Sequence, residues 1–196
     1  MSHERLYGMG TTRWLEPYSS AQSNGAAITA ATATSCLPGN AKFTLSPQFF
    51  DTPGKTLRIK AGGKISCVAT TPGTARYDVR FISSAGTIVV FDGLAMPLNV
   101  TAKTDEGWRL EIELTARSVG TGTQASLAGT GEFKSQALIG GPGNAVAGCG
   151  SFVLPYNVAP NIGNGFDSTL QQTVDLFFTQ TVGTGSMTLT SFFLDG

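Results

Sequence analysis

The chain has 196 residues, thirteen acidic and thirteen basic, and a formal net charge of zero. Charged residues make up 13 %, about half the usual share of a soluble globular protein. That balance leaves no long-range field to draw the chain to nucleic acid or an acidic polymer. The length suits a domain that buries a core without disulfides.

Cys36, Cys67 and Cys149 are far apart and form no C-x-x-C pair. This points to buried reduced thiols rather than a metal or redox motif. The opening MSHERLYGMG lacks the apolar stretch of a secretory signal. No run approaches the roughly 18 apolar residues of a membrane helix. Synthesis in a cytoplasm and no membrane partner are therefore expected.

Residues 1–40 read as an extended or flexible N-terminal arm. AQSNGAAITAATATSCLPGN is nearly free of charge and of large apolar side chains, so it cannot bury a core of its own. Trp14 and Tyr18, in RWLEPY, are the candidate anchors of this arm on a neighbouring surface.

From residue 41 to residue 196, short β-branched and aromatic runs alternate with Gly, Pro and Asn clusters. KTLRIKA, KISCVA and ARYDVRFI read as successive strands, the last with Tyr77, Val79 and Phe81 opposite Arg76, Asp78 and Arg80. GTIVVFDG, a continuous apolar run, reads as a strand buried on both faces. In GWRLEIELTARS, Trp108, Leu110, Ile112, Leu114 and Ala116 alternate with Arg109, Glu111, Glu113, Thr115 and Arg117. That period of two is a strand's and not a helix's. Further strands follow at QASLAGTGEFKSQAL, QTVDLFFTQTV and SMTLTSFFLD. About eight strands with scarce helical patterning predict an all-β antiparallel two-sheet sandwich of the jelly-roll type. The long Gly-rich connection GGPGNAVAGCGSFVLPYNVAPNIGNG is expected to be functional or packed on a partner.

Catalytic chemistry finds little support. Glu111 and Glu113 lie roughly 7 Å apart on one strand face, near glycosidase spacing. Two carboxylates on one flat face do not flank a sugar, so they read as a solvated stripe of ion pairs. The single histidine, His3, lies in the arm, too far from the domain for a triad or an imidazole metal site. The Gly-rich stretches lack the P-loop ending and the dinucleotide-binding context, and the scattered aspartates form no calcium loop. No enzyme activity, catalytic residue, cofactor or metal is expected.

The twelve phenylalanines are more informative. Phe177 opposes Phe178, and Phe192 opposes Phe193, across their strands. Phe177 and Phe192 are the candidate outward rings at an oligomer interface, since exposed rings need cover. The alternative cover is the arm or long loop of the same chain.

The blocks GKTLRIKAGGKIS, GTIVVFDGLAMPLNVTAKTDEGWRLEIELTARSVGTG, GTGEF, FDSTLQQTVDLFF and MTLTSFFL resemble a recurrent group of tailed-bacteriophage jelly-roll virion proteins found beside capsid and tail genes. The resemblance covers residues 41–196 and not the arm. It implies a virion structural subunit, a homotrimer shaped like tumour-necrosis-factor-like domains, and no active-site residues. Three functions follow. In the first, the chain is a capsid decoration or cementing protein that binds the major capsid protein or other virion proteins, with the arm tying capsomers together. Deleting residues 1–35 should then spare the fold. In the second, it is a tail, fibre or baseplate domain that binds host-surface carbohydrate through Tyr156, Trp14 or Trp108. The third, a glycan-cleaving enzyme, is the weakest for want of a histidine or an acid pair.

Overall fold

The computed structural model describes residues 17–139, 150–160, 162–163 and 165–196. The strands are β1 (Ser19–Ser20), β2 (Thr34–Ser35), β3 (Phe43–Leu45), β4 (Thr56–Cys67), β5 (Thr74–Ser83), β6 (Gly86–Asp92), β7 (Met96–Pro97), β8 (Lys103–Ser118), β9 (Ser126–Ser135), β10 (Gly150–Leu154), β11 (Gln172–Gln180) and β12 (Ser186–Asp195). Among the described residues the one helical element is a single 3-10 turn, Gly39–Ala41, and no helix is long and apolar enough to cross a membrane.

Two antiparallel sheets pack face to face, as the alternating runs predict. The first has the order β1-β12-β4-β8-β9-β10 and the second β2-β11-β5-β6, with β3 also on β11 and β7 on β5. The long strands at the two ends of the domain nest: β4 pairs with β12, and β5 with β11. A jelly roll begins with the same nesting. The middle of the chain runs on as hairpins, β5 to β6 in one sheet and β8 to β9 to β10 in the other.

β8 keeps its alternation: Trp108, Leu110, Ile112, Leu114 and Ala116 are buried, while Arg109, Glu111, Glu113 and Arg117 face solvent. Between the sheets, Tyr77 meets Phe133, Phe178 and Trp108 at ring-centroid distances of 4.9, 5.1 and 5.2 Å. A second aromatic cluster joins Phe81 and Phe50 to Phe166 at 5.2 and 5.8 Å. Such offset rings add about 0.5–1.5 kcal/mol per pair beyond the area they bury. Phe91 of β6 lies against Gly129 of β9, where a Cβ would stand 2.2 Å from the ring. The glycine thus lets one sheet's edge close on the other. Among the described residues Tyr77 Oη and Trp108 Nε1 are buried without a hydrogen-bond partner, a cost the aromatic packing has to offset.

Three expectations are corrected. The N-terminal stretch from residue 17 onward is not a free arm. Tyr18, Ala21, Gly25 and Ile28 donate backbone hydrogen bonds to Leu194, Phe192, Leu189 and Met187 along the outer edge of β12. β2 then crosses to pair with β11, and Ile28, Cys36 and Leu37 are buried. A segment too poor in apolar residues to own a core can still finish someone else's sheet, because backbone groups supply the bonds. Covering an edge in this way also removes a template for aggregation.

The second correction concerns β12. A register shift between Leu189 and Ser191 marks a bulge. Met187 and Leu189 face inward before it; Phe192 and Leu194 do so after it. The extra residue reverses the alternation, so Phe192 is core at 1 % exposure and Phe193 is the outward ring at 47 %. Third, β6 is not buried on both faces. It is an edge strand with exposed Gly86 and Thr87, and a bulge opposite Val79 and Arg80 lets Val90 and Phe91 both turn inward.

Part of the long connection, residues 140–149, lies outside the described residues. Its later part packs on the same chain: Ile162 bridges to Ala128, and Phe166 to Ala125.

Candidate functional site

The outer face of the first sheet carries the more open side-chain array. Strand register sets its rows. Phe193, Lys60, Glu111, Glu132 and Val153 lie side by side across β12, β4, β8, β9 and β10. The next row is Ser191, Gly62, Arg109, Lys134 and Ser151. A hollow of about 360 Å³ lies over Arg58, Lys60, Glu111, Glu113 and Glu132. One of about 140 Å³ lies over Lys60, Arg109, Glu111, Ser191 and Phe193. Lys60 and Glu111 line both, so the two form one trough across the sheet.

The charges of this face divide into spent and unspent. Arg58 binds Glu113 at 3.2 Å, and Lys134 binds Glu132 at 2.8 Å. Lys134 and the Ser151 hydroxyl hold the Glu132 carboxyl below its usual range. Lys60, Arg109 and Glu111 have no ion-pair or hydrogen-bond partner for their side chains among the described residues. Glu111 stands directly opposite Glu132, and Arg109 opposite Lys134. Like charges across a strand pair are unfavourable, and the opposite charges across β4 and β8, Lys60 facing Glu111 and Arg58 facing Glu113, offset them. Glu111 and Glu113 both leave one strand on the same side, and no wall of the sandwich stands opposite them.

The second sheet's outer face is different in kind. Asp78 and Asp175, placed outward by alternation, are both fully buried. Asp78 is clasped by Arg80, whose guanidinium also lies 3.9 Å over the Phe177 ring. Asp175 is held by Lys42 at 2.7 Å and by the Ser35 hydroxyl at 2.8 Å. Arg76 and Asp92 form a two-pronged pair, both contacts at 2.7 Å. Three cations thus answer three anions, and the network is closed. Burial, reinforced by Asp175 and Asp78, pushes the Cys36 thiol well above its usual pKa. Sequence reasoning missed these buried acids because what buries Asp175 is β2 and Lys42, far away along the chain.

The remaining expected sites fall as follows. Phe177 is outward and half-buried beneath Arg80. Phe192, expected at a subunit interface, sits in the core and is not available to one. Tyr18, expected to reach a capsid surface, donates its hydroxyl to the Gly196 carbonyl at 3.0 Å and stacks on Phe43 at 5.6 Å. Trp14, His3 and Cys149 lie outside the described residues. Trp108 belongs to the core, and Tyr156 packs against Phe152 at 4.6 Å. The exposed ring that the sequence did not single out is Phe193. Its signal is the bulge, which no alternation pattern records. Asp51, Asp105 and Asp167 are spent singly, on Lys55, Lys64 and the turn around Thr169, while Asp195 keeps one buried carboxylate oxygen without a hydrogen-bond partner among the described residues. Among the described residues no three metal-ligating side chains come together.

Fold and faces together define an all-β antiparallel sandwich with one closed and one open charged face. No protein-family model matches the chain, and no curated protein does. Among solved structures the chain is similar to the CBM2 module of the evolved Dit protein of Lactobacillus casei BL23 phage J-1. The identity is 11 % and the TM-score 0.29, over 79 % of this chain and 67 % of that one. At that TM-score the two do not superpose as one fold, and the neighbour's name says nothing of this chain's ligand.

Proposed function

We infer that the chain is a structural subunit of a tailed-phage virion, working by binding and not by turnover. The observation that carries this reading is where the phage-like sequence blocks fall. They lie on β4, β6, β8, β9, β11 and β12, so the likeness follows the sandwich and not a single turn or loop. Within the virion, a place on the tail, fibre or baseplate is favoured over cementing of the shell. Cementing needs the N-terminal segment for the capsid, and the sandwich uses residues 17–41 to finish its own sheets. A trimer closed by Phe192 has no ring to close it.

Gold-labelled antibody against the purified chain, applied to intact virions, tests this. Label at the tail is the expected result. Label over the head restores shell decoration, and absence from virions refutes a structural role altogether.

A further inference from the structure

We propose that the trough on the first sheet is a binding site for a neutral oligosaccharide, with Phe193 as its stacking platform. The inference deepens the reading above, since a tail-borne domain meets glycans on the host surface.

Three observations carry it. The first is the bulge in β12. Without that extra residue Phe193 would turn inward and Phe192 outward, at the expense of the alternation that places Leu194 in the core. Bulges gather where a side chain has to be re-aimed. Here the bulge sets an apolar ring, 47 % exposed, at one end of a row of charged side chains.

The second is the choice of those side chains. Lys60, Glu111 and Arg109 line the trough with their hydrogen-bonding capacity unspent among the described residues. Lysine and arginine only donate, and a carboxylate only accepts. A sugar hydroxyl does both, so a chain of hydroxyls matches a lining in which the two kinds alternate. Charge-assisted hydrogen bonds of this sort are the stronger ones. The lining's charges cancel: Arg58, Lys60 and Arg109 stand against Glu111, Glu113 and Glu132. A polyanion or polycation would meet as much repulsion as attraction, which selects an uncharged ligand.

The third is shape. Gly62 lies between Ser191 and Arg109 and leaves a hollow beside the ring. The lined row from Phe193 to Glu132 crosses three strand spacings of roughly 4.8 Å, about 14 Å in all. That length suits several linked sugars rather than one. The other occupant such a face could take is a second copy of the chain, and the experiment separates the two.

Full-length chain is titrated on an array of neutral and acidic oligosaccharides, with its mass followed by analytical ultracentrifugation. The expected result is binding of neutral glycans, weakened about tenfold by Phe193→Ala and by Glu111→Gln, with the melting temperature unchanged. Asp105→Asn, whose residue is paired with Lys64 outside both hollows, is expected to weaken binding less than threefold. Any of four results overturns the proposal. No glycan binds; only acidic ones bind; binding survives both substitutions; or Phe193→Ala turns an oligomer into a monomer, which assigns the trough to a second copy. Gold labelling of the virion is read separately, so a failed glycan assay leaves the structural role standing.

Discussion

Replacing Ile28 by alanine tests whether the N-terminal segment is part of the sandwich in solution. Ile28 is 3 % exposed. Shortening it removes roughly three methylene equivalents at ~0.8 kcal/mol each, or about 2.4 kcal/mol. A residual cavity adds to this, within the range of about 2–5 kcal/mol for such truncations. The site lies at a sheet edge where neighbours can close in, so the expected loss is about 2.5–3 kcal/mol. Both backbone bonds to Met187, at 2.8 and 3.0 Å, survive in the variant, and the measurement therefore reads the side chain. Urea denaturation followed by tryptophan fluorescence gives the midpoint and slope. The midpoint should fall with the slope unchanged. A loss under about 0.5 kcal/mol would mean that the segment does not dock, and the edge-strand account of residues 17–41 would be wrong. Deletion of residues 1–35 takes β1, Ile28 and β2 together, and should cost more than Ile28→Ala.

The buried pair on the second sheet should respond asymmetrically in the same denaturation assay. Lys42→Met leaves Asp175 buried and uncompensated and should cost about 3 kcal/mol. Asp175→Asn leaves only the half-exposed Lys42 and should cost about 1 kcal/mol; equal losses would show that Lys42 is not what neutralises the acid. The double variant Glu111→Gln, Glu113→Gln should stay within about 1 kcal/mol of the parent, and a loss several times larger would place these side chains off the open face. Burial also pushes the Cys36 thiol and the Tyr77 hydroxyl upward. Each then favours the fold fully below its unfolded-state pKa, about 8.5 for the thiol and about 10 for the phenol. That contribution is lost as pH rises toward the folded-state value. The denaturation midpoint should therefore fall steadily above about pH 9, and a flat profile to pH 11 would refute the burial of both groups.

Much of the fold was legible because strands write their two faces into the chain at a period of two. β8 shows this over its apolar half, where one residue in two is core and the next is wet. The same rule failed where one backbone residue was inserted. At the β12 bulge a count of alternation predicts Phe192 outward, and the chain delivers Phe193. It failed again for Asp78 and Asp175. Alternation puts them on the outer face, as it should, but other parts of the chain then cover that face.

Sequence alone determined the sandwich, its approximate strands and the absence of a readable catalytic motif, because side-chain polarity along a strand is a local property. Only the tertiary structure decided that residues 17–41 complete the two sheets, which ring ends up wet, and which charges remain unspent. Those depend on backbone hydrogen bonds and strand register between segments more than a hundred residues apart, and neither leaves a trace in local composition.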